Sequence, residues 1–413
     1  MTVYPLSAVR TLALHAQGLT SASNPESPTP DDLYQIAEQI VAVQIDTLQM
    51  VHRSHYLTLW SRVGRFDPAD FDRLIYTEGE RRLYEGWLHA ACIIPLHEFR
   101  YHLPYMRHMR ENPYHRARKL MEKPEGQAVF DEVLSQIRQN GGLCASDFQS
   151  DGRKRGSWWD WKPAKVALEH LFSAGDLMIA DRVNFQRVYD LRQRVMPDGV
   201  DLTEATWDDM ARHYIERGVR AFGICHAVQA ADMIHRVKRT EAKPIVQRLI
   251  EEGVFVEVQA ELADGEVHTL IVHRDNLLFL EQAAAGALKA ERTTFLNPFD
   301  NLFWAQKRDA QFWNFRHTLE AYKPAPQRQW GYYCLTIQHR DRMVGRFDPK
   351  LDRKTNTLYL KALYLEPEID PDDELVAAVA GAMRDFMAFH EATDLVIEHS
   401  DPKAFGDKLL GVL

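Results

Sequence analysis

Apolar positions recur along this chain with two different periods. Residues 6–17 carry a helical stripe that Gly18 ends. A loop of small, polar and proline residues follows. Then Thr29-Pro30-Asp31-Asp32 supplies a hydroxyl cap, a first-turn proline and acids at the positive end of a helix dipole. Leu33, Ile36, Ala37 and Ile40 fall at i, i+3, i+4 and i+7, which makes one buried face. That helix delivers the chain into Val41-Ala-Val-Gln-Ile-Asp-Thr-Leu48, where the period drops to two. Asp67-Pro68-Ala69-Asp70 opens a short helix through Phe71 and Leu74, and residues 82–88 read as strand.

Two later segments repeat one plan. In the first, Lys162-Pro163 starts a helix that ends at Gly175, followed by strand 177–182, a turn at Val183-Asn184 and strand 185–191. In the second, Lys243-Pro244 starts a helix that ends at Gly253. Strand 254–259, a turn at Ala263-Asp264-Gly265 and strand 267–272 complete it. Upstream helices are expected from Ser146 onward for the first, and over 203–217 and 221–235 for the second. Helix, helix, helix, hairpin is the order of a winged helix, a module that binds DNA or mediates protein contacts. From Thr294 the chain becomes aromatic and turn-rich. Strands are expected at 331–338, 343–347 and 357–364, then a helix over 372–390 and a strand at 395–399. The fold class expected is α+β, with a β-rich C-terminal end.

Composition narrows the picture. At 413 residues the chain has room for several domains, and no apolar run is long enough to span a bilayer. Cys92, Cys144, Cys225 and Cys334 are isolated, which fits buried thiols in a reducing cytoplasm better than a zinc site or disulfides. Eighteen histidines include no HExxH or other tight ligand spacing, so no metal is expected; His52, His55, His97 and His102 read as surface or packing residues. A net charge of −9 weighs mildly against nucleic acid. The charge is uneven, however. Residues 100–123 are rich in Arg, Lys and His, with Tyr101, Tyr105 and Tyr114 interleaved, so a basic groove is compatible with the acidic total.

The chemistry concentrates at Gln44-Ile45-Asp46. Side chains at i and i+2 share a face of a strand, so an extended run turns Gln44 and Asp46 to one side and Val43 and Ile45 to the core. A carboxylate beside an amide can hold a water and stabilise a cationic sugar, which is what cleaving a glycosidic bond requires. A strand with a solvated polar face gives the same pattern.

Together with the residues after it, this motif resembles a known family. Gln44-Ile-Asp46 with Arg53-Ser-His-Tyr-Leu-Thr-Leu-Trp60-Ser-Arg62 is similar to the catalytic segment of bacterial winged-helix DNA glycosylases of the YcaQ/AlkZ type. Trp87-Leu-His89-Ala-Ala, Trp158-Trp-Asp-Trp-Lys-Pro163, Asn297-Pro-Phe-Asp300-Asn-Leu and Val344-Gly-Arg346-Phe-Asp348-Pro-Lys350-Leu-Asp-Arg353 match the family in order. Asn297 departs from the serine common before Pro-Phe-Asp. The resemblance implies tandem winged helices curled into a C-shaped DNA channel, plus a C-terminal β-barrel-like domain. It suggests domains at 1–125 (with the Gln-x-Asp motif), 126–197, 198–285 and 286–413. The Gln-x-Asp form implies the branch similar to YcaQ, associated with N-alkylated purines and interstrand crosslinks, where the Gln-x-Gln branch is associated with self-resistance to a natural product.

The expected activity is hydrolysis of the N-glycosidic bond of N7-alkylated purines, in monoadducts and crosslinks, by a cytoplasmic, monomeric, cofactor-free enzyme of base excision repair. Asp46 would act as general base and oxocarbenium stabiliser, and Gln44 would orient the water. His89 would be a third polar group, or a satisfied structural histidine. No lysine adjoins the motif to form a Schiff base, so a monofunctional enzyme is expected. Arg53, Arg62, Arg346, Lys350 and Arg353 are the candidates for phosphate contact, each equally readable as a solvated charge. Asp300 and Asp348 are expected to brace turns, and Trp158, Trp159 and Trp161 to pack in a core. A winged-helix transcription regulator without catalysis is the competing reading.

Overall fold

The computed structural model describes residues 2–148 and 163–413. The tryptophans at 158, 159 and 161, and most of the helix expected from Ser146, lie outside the described residues. Two compact units divide the chain. One holds residues 1–70, 88–90 and 214–413, and the other holds 71–87 and 91–213. The fold is mixed α and β, and no described helix is long and apolar enough to cross a membrane.

In the first unit, helix Leu6–Ala16 packs Ala8, Val9, Leu12 and Ala13 into a core with Val258, Leu270 and Leu280. Helix Pro30–Gln39 starts where Thr29 accepts the Asp32 N–H and the Asp32 carboxylate accepts the Thr29 N–H, a reciprocal cap. Strands Phe255–Glu261 and Val267–His273 form the expected hairpin, turned at Gly265. Val3–Tyr4 pairs parallel to its outer strand, and Ile224–Cys225 pairs antiparallel to the other. The flanking helices differ from expectation. One helix, Trp207–Phe222, replaces the two expected over 203–235. Gly223 ends it at φ +78, where a Cβ would stand 2.7 Å from the Leu12 carbonyl oxygen. Helix Arg239–Glu251 begins before Pro244, because the Glu241 carboxylate accepts the Lys238 N–H and sets an earlier start.

A six-stranded sheet occupies the C-terminal part of the same unit. Its order is Thr293–Leu296, Leu335–His339, Arg342–Asp352, Thr357–Leu365, Asp394–Ile397, with Ser400–Asp401 also parallel to Thr357–Leu365. The barrel-like closure expected here does not form, because Thr293–Leu296 and Asp394–Ile397 remain as sheet edges. Helix Asp373–Phe389 is capped by the Asp372 carboxylate on the Leu375 N–H. It sets Phe386 in edge contact with Phe295, Phe347 and Trp60.

The second unit contains hairpin strands Leu83–Trp87 and Ala91–Pro95, and helices Phe99–Glu111, His115–Met121, Gly126–Asn140 and Pro163–Ser173. Hairpin Leu177–Val183 with Gln186–Leu191 turns through positive-φ Asn184 and Phe185 and carries Leu143–Cys144 on its outer edge. Phe130, Val133, Ile137, Leu171 and Phe172 form its core. Buried Glu85 takes Arg182 at 2.6 and 2.7 Å and the Tyr76 hydroxyl at 2.7 Å. In the basic stretch, Arg100, Arg107 and Arg110 pair with Asp201, Glu204 and Asp176, while Arg116, Arg118, Lys119 and Lys123 are exposed.

Candidate active site

The segment leaving helix Pro30–Gln39 builds the site. Regular strand covers only Val43–Gln44, yet the alternation runs on: Val43 and Ile45 are buried, while Gln44 and Asp46 are half-exposed. Asp46 then turns the chain, with its Oδ1 accepting the Leu48 N–H at 2.8 Å. Burial pushes its carboxyl above the ordinary range, and the N–H groups of Leu48 and Thr47 and the nearby Arg53 offset this only in part. Two phenols are raised first by their own burial and then by the Asp46 charge. One is Tyr322, 76% exposed; the other is Tyr333, fully buried. The Tyr333 hydroxyl has no hydrogen-bond partner among the described residues. Its main-chain N–H donates to Asp348, which also accepts from Tyr332, so Asp348 braces a turn as expected.

Helix Ser54–Val63 supports the segment. Ser54 Oγ donates to the Gln44 carbonyl at 3.1 Å, and Arg53, at the helix N-cap, reaches the Thr47 carbonyl at 3.3 Å. The stretch Asn297-Pro-Phe-Asp-Asn-Leu302 meets the same elements from far along the chain. Asn297 Nδ2 donates to Thr58 Oγ1 at 2.8 Å, and Asp300 caps the short helix Asn301–Phe303. Asn301 Nδ2 donates to the carbonyls of Ile40 at 3.0 Å and Ala42 at 2.7 Å.

Two expected phosphate contacts are corrected by their surroundings. Arg62 is enclosed, its guanidinium bonded to Asp300 at 2.7 and 2.9 Å and to Gln17 and Thr58. Arg346 is likewise buried, bonded to Glu366 at 2.7 Å and the Arg316 carbonyl, with the rings of Phe315 and Trp330 about it. Neither offers a donor edge to a phosphate here; both hold elements together. Lys350 and Arg353 are exposed at the end of strand Arg342–Asp352 and its following turn. There Arg353 also bonds the Val51 carbonyl, and the Leu351 N–H bonds the Met50 carbonyl, so this hairpin end abuts the loop that follows Asp46.

His89 is held by groups from other segments. Its ring stacks on Trp304 at 4.3 Å and lies 3.9 Å from His235, and its Nδ1 is 2.9 Å from the Asp232 carbonyl. Burial, then the neighbouring His235, lowers its pKa to about 4, so the imidazole is neutral at physiological pH. Among the described residues these groups are its recorded partners.

A family model described as DNA glycosylase AlkZ-like matches residues 37–389, which take in Gln44, Asp46, helix Ser54–Val63, His89 and the stretches at 297–302 and 344–353. The chain belongs to the AlkZ-like DNA glycosylase family. AlkZ, a DNA glycosylase of Streptomyces sahachiroi, has a similar structure, with a TM-score of 0.64 at 14% identity over 96% of this chain and 100% of that one. At that identity the shared property is the fold. This AlkZ-like chain is therefore a DNA glycosylase of DNA repair, with DNA as its substrate. Asn301, Ser54 and Tyr333 are the site residues that sequence reasoning missed. Asn301 lies inside a stretch singled out for resemblance, but nothing local shows that its amide faces the turn after helix Pro30–Gln39, at 259 and 261 residues' separation.

Proposed function

We propose that this protein is a monofunctional DNA glycosylase of the Gln-x-Asp branch, hydrolysing the N-glycosidic bond of N7-alkylated purines in monoadducts and interstrand crosslinks. The observation that carries this is Asp46, a half-buried carboxylate fixed by the Leu48 N–H, raised by burial and flanked by Gln44. N7 alkylation leaves the purine positively charged. The base therefore departs with the C1′–N9 bonding pair and becomes neutral without an acid. Water oxygen bonds to C1′, and its proton passes to Asp46, which also faces the cationic sugar before attack. Gln44 orients that water through its amide. His89, neutral and stacked, is proposed as a structural or base-facing group and not as an acid.

Arg53, Lys350 and Arg353 are proposed to bind backbone phosphate, supported by their position around the loop after Asp46. Three runs of helices closed by a hairpin, with hairpin strands at 83–95, 177–191 and 255–273, support winged helices in domains 1–125, 126–197 and 198–285, ahead of the domain at 286–413. The C-shaped channel for duplex DNA is proposed with them, as are action as a monomer and a cytoplasmic setting.

The test is base release from a duplex carrying one N7-methylguanine, scored as strand breakage after alkali. Wild type is expected to release the base, and Asp46→Asn to bind the duplex equally but lose release by at least about a hundredfold, the usual reach of a general base. Binding without release by either protein would move the reading to a DNA-binding regulator.

A further inference from the structure

The backbone immediately before Gln44 is held in a conformation its own residue disfavours. Val41 follows the C-cap Ile40 of helix Pro30–Gln39 and has φ +74. The position after a C-cap commonly takes this left-handed conformation, and glycine is the usual occupant because a Cβ is crowded there. A β-branched side chain makes the crowding worse. Val41 is also 1% exposed, so its side chain is packed and cannot swing out to relieve it. Such a conformation persists only when its surroundings over-determine it.

The Val41 N–H donates to the Glu38 carbonyl, and one side chain holds the carbonyls that flank Val41. Asn301 is fully buried, and its Nδ2 donates to the carbonyls on both sides of Val41, Ile40 at 3.0 Å and Ala42 at 2.7 Å. Both amide hydrogens are thereby used, and the two accepting carbonyls bracket Val41, so a change in its φ and ψ would move one away from the other and break the pair. Asn301 is itself fixed, because Asp300 beside it caps the short helix and grips Arg62. Two residues beyond Ala42 stands Gln44, and two beyond that Asp46. The geometry points to Asn301 as a positioning residue for the reaction: it clamps the strained Val41 turn and so aims Gln44 and Asp46 at the sugar. Asn301 acts through the backbone and touches no substrate. This inference rests on the reading of Asp46 as the catalytic carboxylate.

The test exploits the strain. Glycine adopts φ +74 freely, so in a Val41→Gly background the clamp has less to do. Asn301→Ala is expected to lower the single-turnover rate at least about tenfold, with duplex affinity changed less than about threefold, the signature of a lost transition-state geometry. Adding Val41→Gly to Asn301→Ala is expected to bring the rate back to within about threefold of Val41→Gly alone, a coupling that residues acting independently do not show. Asn301→Ala at the wild-type rate, or a slowed variant that Val41→Gly does not rescue, overturns the inference. Should Asn301→Ala fail to fold, Asn301→Ser, which keeps a single donor, takes its place with the same expectation. Wild-type turnover and its loss in Asp46→Asn are the controls for the underlying reading. If wild type releases no base, that reading falls, and the clamp is judged from amide hydrogen exchange over residues 42–48. Asn301→Ala should speed that exchange and the added Val41→Gly should slow it again; unchanged exchange overturns the clamp itself.

Discussion

Asp46 combines two demands that pull against each other. A general base must be ionised, yet burial favours its protonated form and raises its pKa above the ordinary 3.8. The rate of base release should therefore fall as pH is lowered, with a midpoint above 3.8. A rate that stays flat to pH 3.8 or below, measured where circular dichroism still reports folded protein, excludes Asp46 as the base. His89 should add no limb near the histidine range, because its imidazole is already neutral down to about pH 4. His89→Gln is accordingly expected to leave the shape of the pH profile unchanged between pH 5 and 8, about the window in which an ordinary histidine titrates. A new loss or gain of slope there would show that His89 moves a proton.

Helix Ser54–Val63 shows why charged residues near a catalytic motif need not meet the substrate. Arg62 faces inward, and its pair with Asp300 has no solvent on either side chain. Cutting such a pair leaves one buried charge without its partner, so Arg62→Met should cost about 3–5 kcal/mol of stability, read from urea unfolding. A loss within about 0.5 kcal/mol, the scale of an ordinary surface change, would contradict that role. The turn end of the hairpin from Arg342 to Leu365 makes the opposite use of its charges, although Arg346 within it is buried like Arg62. Lys350 and Arg353 are exposed beside the loop after Asp46. If both touch phosphate, alanine at either should weaken duplex binding regardless of lesion and reduce the slope of log affinity against log salt by about 1. An unchanged slope would return them to solvated surface charges.

For the molecule as a whole, acid is the predicted weakness. His390 is buried among Phe386, Phe389 and His52, and burial followed by the His52 neighbour lowers its pKa to about 3. The unfolded chain takes up a proton near 6.5 that the folded chain refuses until about 3. Stability from this group is thus complete above the unfolded value and drains away as pH falls toward the folded one, about 2 kcal/mol of it by roughly pH 5. Urea midpoints at about pH 5 and pH 7.5 should differ by less in His390→Leu than in wild type. Equal differences would assign the acid sensitivity to other groups.

The features legible in the sequence are those whose partners lie within a few residues. The Thr29 hydroxyl cap and the hairpin turns at Asn184 and Gly265 form where they were expected, because backbone dihedrals and short-range hydrogen bonds decide them. The alternation through Val43, Gln44, Ile45 and Asp46 is local in the same sense and places both polar side chains on the exposed side. Where a local signal misled, a neighbour outweighed it. Pro244 suggested a helix start that Glu241 had already set, and residues 221–235 carry a helical pattern that Gly223 breaks against Leu12. The partners of charged and amide side chains were beyond reach. Arg62 meets Asp300 across 238 positions, and Asn301 meets Ile40 across 261. A sequence names donors and acceptors without saying which will face each other once the chain returns. Only the tertiary fold decided that Arg62 is a tie and not a phosphate ligand, that Asp46 is buried enough to shift, and that the turn before it is held by an asparagine.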